Sequence, residues 1–268
     1  MRIVLACAPD PAAVARARAL ASALDGAGIA ALVLCAARGT GEPRIERVAG
    51  LARLVRTDPA PWHWQRSSSA AAARLVRELL AAEQAAALLV VSSRGLAHDL
   101  VATAQAAGVP SLVDLADRGL ACLVGDRQRR DAPGPCQAPL APAPCLACAE
   151  ADPEQGPTPW VPLEARWMRV AERRRDALRE LQLARLVLVH DAAEIERARV
   201  ELGDGLAGVA FHVVGAAFDA RELAGLLHTT CADGAPERGP EPGWWVERLR
   251  SETERVWDAA WRAAREGA

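Results

Sequence analysis

Four of the seven cysteines in this chain lie close together, in the segment from residue 117 to residue 148. They are Cys122, Cys136, Cys145 and Cys148, and the last two form a CxxC pair. Four thiolates are the ligand set of a closed, tetrahedral structural zinc site. Two alternatives stay open, because the spacing C-x13-C-x8-C-x2-C is not that of a standard zinc ribbon. An iron–sulfur cluster uses the same ligands, and reduced thiols in a loop need no metal.

The same segment contains five prolines, which predict neither helix nor central strand there. A loop of this length without regular structure is unusual inside a compact domain. We therefore expect the segment 117–148 to be a knuckle that one structural Zn²⁺ holds in shape.

Further candidate residues stand at the ends of predicted strands, where α/β sheets bind their ligands. Ser92 and Ser93 end one strand, Asp117 and Arg118 follow the next, and His190 ends a third. We expect Ser92, Ser93, Asp117 and Arg118 to bind substrate. Asp117 and His190 are the candidates for acid–base catalysis. The alternatives are an Asp117–Arg118 pair in a loop and a His190 that packs at a helix start.

The elements that position these residues alternate between short apolar strands and capped helices, which predicts a doubly wound, mainly parallel α/β sheet. Strands are predicted at 2–7, 29–37, 87–93, 111–116, 183–190 and 208–215. Helices are predicted at 11–25, 67–86, 99–108, 162–182 and 191–202, and residues 44–57 are interpreted as a short helical stretch with a possible strand. Capping explains Asp99 at the start of its helix, and Asp191 with Glu194 forms a capping box.

We expect one Rossmann-like domain over residues 1–219, followed by a linker and a C-terminal helix over 220–268. That helix carries Trp245, Leu249, Val256 and Trp257 on one face, which would pack on the domain or on a second copy in a homo-oligomer. The turn after the first strand has the sequence APDPAA rather than GxGxxG, which argues against dinucleotide binding there.

Composition narrows the class of partner. Hydrophobic residues make up 51% of the chain, which is typical of a globular protein. The net charge of −2 gives no support to a nucleic-acid partner.

No apolar run approaches the length of a transmembrane segment, and the N-terminus does not look like a signal peptide, so we expect a cytoplasmic protein. Clustered cysteines in that compartment favour metal binding over disulfides.

The order of these segments resembles the N-terminal, acceptor-side domain of family-4-type glycosyltransferases, which have two Rossmann-like halves in the GT-B fold. The segment VPSLVDLADRGLACLVGDRQ, followed by GPCQAPLAPAPCLAC, looks like a block that one branch of that family carries. In that block a His-Asp pair precedes four cysteines, and the four cysteines of this chain fall on them. The segment FHVVGAAFD looks like the strand and turn that lead into the donor domain, with Asp219 on the usual Asp.

Several positions depart from the family pattern. Ala116 replaces the His of the His-Asp pair, and His190 stands where a Ser is common. Only 49 residues follow Asp219, too few for a donor half with its paired-Glu motif; the seven-residue gaps between Glu164, Glu172 and Glu180 are interpreted as chance. The resemblance implies an acceptor-binding half of a glycosyltransferase that is active with a separate donor-domain protein or inactive alone. Its acceptor would be a glycan or a lipid-linked molecule. The alternative is a non-catalytic, zinc-stabilised α/β module that binds a glycan, a lipid carrier or a protein.

Overall fold

The computed structural model describes residues 1–40, 42–56, 70–93, 96, 99–115, 142–151, 163–215 and 219–232. The strands in these ranges are β1 (Arg2–Cys7), β2 (Ala30–Arg38), β3 (Arg44–Val48), β4 (Leu51–Arg56), β5 (Ala87–Val90), β6 (Ser111–Asp114), β7 (Leu186–Val189) and β8 (Phe211–Val213). The helices are α1 (Pro11–Asp25), α2 (Ala70–Ala82), α3 (Leu100–Ala106), α4 (Pro142–Glu150), α5 (Leu163–Leu183), α6 (Ala192–Leu202) and α7 (Ala220–Ala232).

The strands form one sheet in the order β3-β4-β2-β1-β5-β6-β7-β8. Every neighbouring pair is parallel except β3 with β4. The chain therefore moves outward from β1 in one direction first and returns to add β5 on the other side. This arrangement confirms the predicted doubly wound, mainly parallel sheet, with its switch point between β1 and β5.

Helices cover both faces of the sheet and create two cores. One core lies under α2, α3, α5 and α6, and it includes Val4, Leu88 and Leu181. The other lies under α1 and α7, and it includes Leu5, Leu24 and Leu227. The central strands are buried on both faces, which is why they read as continuous apolar runs rather than as alternating patterns.

The prediction of a helical stretch within residues 44–57 was wrong. The strands β3 and β4 form an antiparallel hairpin there, and the possible strand is β4. Ala49 and Gly50 connect them, and both have positive φ angles, 36° and 74°. Two consecutive positive φ angles match the twist of a two-residue hairpin turn. Alanine is an unusual residue for the first of these positions, so the turn carried little signal in the sequence.

The CxxC pair lies on a helix, contrary to the expectation that the prolines around it prevent one. Pro142 and Pro144 occupy the first turn of α4, and Cys145 and Cys148 follow them. The first N–H groups of a helix have no intrahelical acceptor, so proline is tolerated there. Proline therefore marks the start of this helix instead of excluding it.

Residues 220–232 were expected to belong to a linker, but they form α7. Leu223 and Leu227 on this helix are fully buried in the core that α7 shares with α1. Cys231 near its end donates a hydrogen bond from Sγ to the Ala86 carbonyl, at 3.4 Å. This stretch thus continues the same hydrophobic core as the preceding residues.

The N-terminus of α3 is capped by a residue far away in sequence. Asp99 stands at the N-cap position but makes no side-chain cap hydrogen bond, so the predicted capping role is wrong. Instead, the Glu180 carboxylate on α5 accepts hydrogen bonds from the backbone N–H groups of Val101, at 2.6 Å, and Ala102, at 3.2 Å. Burial raises the pKa of Glu180 well above its usual range, whereas these two hydrogen bonds oppose that shift.

Candidate functional site at the carboxyl edge of the sheet

The carboxyl ends of four parallel neighbours, β5, β6, β7 and β8, meet at one edge of the sheet. The residues at these ends are Ser92 and Ser93 after β5, Asp114 at the end of β6, His190 after β7 and Gly215 after β8. Ligands of open α/β sheets bind in the crevice outside these ends. We therefore treat this edge as the candidate functional site.

Ser92 and Ser93 lie at the switch point of the sheet, as their position after a strand predicted. The backbone N–H groups of Val91 and Ser92 both donate to the Ala6 carbonyl of β1, at 2.8 and 3.0 Å. These two bonds tie the serines to the strand at which the winding direction reverses. The serines are only 5% and 3% exposed, so they lie beneath the surface of this edge.

His190 and Asp114 form a polar contact at this edge. His190 Nε2 lies 3.3 Å from Asp114 Oδ1, and their side chains are 20% and 4% exposed. The Glu194 side chain of α6 accepts a hydrogen bond from the His190 backbone N–H, at 2.8 Å. Asp191 caps α6 by accepting from the Glu194 N–H, at 2.8 Å. The predicted capping box thus forms with one change, since its Glu binds the N–H of His190 instead of that of Asp191.

The surroundings of the His190 ring favour its protonated form. The hydrogen bond with Asp114 is the main cause that raises the pKa of His190; burial opposes it. The negative charge of Glu194 and a hydrogen bond from the ring to the Gly215 backbone raise the pKa of His190 further. The carboxylate at Nε2 is an acceptor, so this contact stabilises the protonated ring.

Asp114 is the residue of this site that the sequence analysis missed. We expected the strand to run to residue 116, so that Asp117 would be the first polar side chain beyond it. The strand instead ends at Asp114, which places its side chain at the carboxyl edge of the sheet. A charged residue directly after the apolar pair Leu112-Val113 was the available signal, because buried carboxylates are rare without a partner.

Half of the predicted binding and metal residues lie outside the described part of the chain. Asp117, Arg118, Cys122 and Cys136 belong to this group. Cys145 and Cys148 are described, and they lie three residues apart on α4, both partly buried. Residues three apart share a helix face, so their thiolates fit two positions of one metal site. Within the described ranges no group of three or more His, Cys, Asp or Glu is arranged to hold a metal ion.

The zinc site therefore stays a prediction, with a direct test. We expect the protein to hold about one Zn²⁺ per chain, because four thiolates close a structural site. The double variant Cys145→Ser/Cys148→Ser should lose that metal and become more sensitive to proteolysis between residues 120 and 150. Metal analysis and limited proteolysis of the purified chain check both expectations. The matched control is Cys231→Ser, whose thiol contacts the Ala86 carbonyl; metal loss in this control, or metal-free wild-type protein, would contradict the prediction.

The geometry defines the class of protein as a doubly wound α/β domain with polar side chains at the carboxyl edge of its sheet. No protein-family model matches the chain, and no curated protein matches it. Among the helices of the described ranges, none combines the length and the apolar character that a bilayer span requires.

Several solved structures are similar to this chain at low identity. Sucrose-phosphate synthase from Thermosynechococcus elongatus is 10% identical, with a TM-score of 0.46, and the match covers 87% of this chain and 98% of that one. A UGT transferase from Siraitia grosvenorii in complex with UDP is 18% identical, with a TM-score of 0.39 and coverages of 80% and 48%. Phytolacca americana UGT2, complexed with UDP-2fluoro-glucose and pterostilbene, is 16% identical, with a TM-score of 0.36 and coverages of 80% and 52%. The chain thus spans about half the length of these two transferases.

Proposed function

We propose that this chain is the acceptor-binding half of a glycosyltransferase, which works with a donor-binding domain outside these 268 residues. The observation that supports the proposal is the group of polar side chains at the carboxyl edge of the sheet: the buried Ser92 and Ser93 after β5 and the Asp114–His190 pair at the ends of β6 and β7. Hydroxyl, carboxylate and imidazole groups are suited to hydrogen bonding with the hydroxyls of a sugar. The resemblance of the strand and cysteine segments to the acceptor side of family-4-type enzymes agrees with this role.

The described residues offer no Gly-rich cradle for a nucleotide diphosphate at the first turn. Asp10 accepts a hydrogen bond from the Ala13 N–H, at 2.8 Å, so a carboxylate already caps α1. Pro11 at the first helical position removes a further N–H donor. A helix N-terminus binds phosphate through free N–H groups, and this one has fewer of them to give. We therefore assign the nucleotide sugar to the donor-binding domain and the acceptor to this one.

Residue-resolved NMR tests the proposal on the full chain. Simple glycosides, titrated as acceptor probes, should shift the amide signals of Ser92, Ser93, Asp114 and His190. The signals of Ala87 and Leu186, at the opposite ends of β5 and β7, serve as the internal control and should stay in place. UDP-glucose and GDP-mannose should leave the same four signals unchanged. Saturable binding of a nucleotide sugar at these residues, or acceptor shifts elsewhere in the domain, would overturn the assignment.

One observation favours a second candidate, a non-catalytic module that binds a glycan, a lipid carrier or a protein. The Asp114 carboxylate raises the pKa of His190, which suits a cationic hydrogen-bond donor that holds a ligand. A purely binding function would retain the acceptor shifts described above. Sugar transfer by the chain mixed with a donor-binding domain would favour the catalytic role, and loss of that transfer in His190→Gln would assign the base.

A further inference from the structure

A second concave site lies away from the Asp114–His190 pair, beside the carboxyl ends of β1 and β2. Its volume is about 880 Å³, and α1 forms one wall while β2 and β4 form the other. This volume falls within the range of sites that hold small molecules. Its lining includes three arginines from three different elements: Arg18 on α1, Arg38 at the end of β2 and Arg53 on β4.

The charge balance of this cavity is positive. Among the described residues of its lining, Asp10 is the one carboxylate, and that side chain caps α1 through the Ala13 N–H. The register pairs Arg53 with Glu46 on β3. Glu46 Oε1 is already bound by Arg44, with distances of 3.0 Å to Nε and 2.6 Å to Nη2. Because Glu46 is already bound by Arg44, the Arg53 guanidinium is available to an anion.

Arg18 and Arg53 both line this cavity beside Cys35. Arg53 is in register with Cys35 on the neighbouring strand. Burial raises the pKa of the Cys35 thiol, and the positive charges of Arg53 and Arg18 act against that rise. Among the described residues, no carboxylate forms an ion pair with Arg18 or Arg53, so two cations share the cavity lining without a described counter-charge.

We propose that this cavity binds the phosphate monoester of a small molecule or lipid headgroup through Arg18 and Arg53. A phosphate monoester carries close to two negative charges, which match the two cations, and three terminal oxygens, which can accept from both guanidinium forks. A carboxylate has one charge and two oxygens, and each phosphate of a nucleotide sugar carries an ester bond, an anhydride bond and a single charge. Apolar groups of the lining, such as Val14 and Leu51, would contact the organic part of the ligand. This site does not depend on the proposed sugar transfer.

Calorimetry with glycerol 3-phosphate and the full chain, in a low-salt chloride buffer, tests the site. We expect saturable binding that weakens about tenfold in Arg18→Gln and in Arg53→Gln, because each removes charge-assisted hydrogen bonds. The double variant should show no measurable binding. Arg16→Gln is the matched control, since Arg16 is exposed on the same helix and outside the cavity lining. Thermal unfolding of all four variants should match the wild type, because these side chains are exposed.

Vesicles of phosphatidylcholine with phosphatidic acid form the second arm of the test. Co-sedimentation that requires Arg18 and Arg53, without binding of glycerol 3-phosphate, would assign the site to a lipid headgroup. Binding of glycerol 3-phosphate alone would assign it to a small phosphorylated molecule. The proposal is overturned if neither probe binds at millimolar concentration, or if the double variant binds as the wild type does. Amide shifts near Arg18 and Arg53, rather than at Ser92 and His190, separate this site from the acceptor crevice.

Discussion

Replacing Glu180 with alanine is expected to lower the free energy of unfolding by about 3 kcal/mol, because two buried N–H groups lose their acceptor together. Those groups belong to Val101 and Ala102, in the first turn of α3, where no intrahelical carbonyl can take their place. Glu180 is only 3% exposed, so water cannot readily replace its oxygens. Urea denaturation of the wild type and the variant measures the loss.

Two further variants separate this capping role from a general effect of mutating α5. Glu180→Gln retains one carbonyl acceptor but turns an N–H₂ group toward the second donor, so it should lose roughly half as much stability as Glu180→Ala. Arg175→Ala removes an exposed side chain on the same helix and should change stability by less than about 0.5 kcal/mol. Equal stabilities of Glu180→Ala and Arg175→Ala would show that the cap contributes nothing.

The sheet could be predicted from the sequence because its signals are local. The strands β1 and β5 are short apolar runs, and burial on both faces requires that composition. The starts of two helices could also be predicted, because Asp10 and Asp191 cap the helices that begin directly after them. Signals of this kind depend on neighbours in the chain and not on the fold.

Contacts between distant residues could not be predicted in the same way. Glu180 caps a helix 79 residues away, and His190 binds a carboxylate 76 residues away. Nothing in the charged segment around Glu180 distinguishes a buried cap from a solvated face. The seven-residue gap between Glu172 and Glu180 does not contribute to this capping role. The role depends on two backbone N–H groups of α3.

The candidate site combines local signals and contacts between distant residues. The positions of Ser92, Ser93 and His190 could be predicted, because the end of a strand can be recognised from the sequence. Asp114 was missed because its strand ends two residues earlier than the apolar pattern suggested. Pairing of Asp114 with Leu188 in the register of β6 and β7 brings the carboxylate next to the His190 ring, and register is a property of the folded sheet.

His190→Ala is expected to destabilise the domain by about 2 kcal/mol near pH 6, because the largely buried Asp114 carboxylate loses a charge-assisted hydrogen bond. This loss should depend on pH. The pKa of His190 is raised above its value of about 6.5 in the unfolded chain, chiefly by the bond to Asp114. Stabilisation by the protonated ring is therefore fully present below about pH 6.5 and fades as the pH rises through the folded pKa.

Urea denaturation at intervals from about pH 5.5 to 8.5 measures this effect. The stability difference between wild type and His190→Ala should be largest at the acid end and shrink toward the alkaline end. His190→Gln keeps a neutral donor near Asp114, so its loss should be smaller at pH 6. His212→Gln is the matched control, because His212 contacts Glu222 at an exposed position, at 3.1 Å. A difference that stays constant across the range would mean that the Asp114–His190 contact is formed by a neutral ring, and it would restore His190 as a general base.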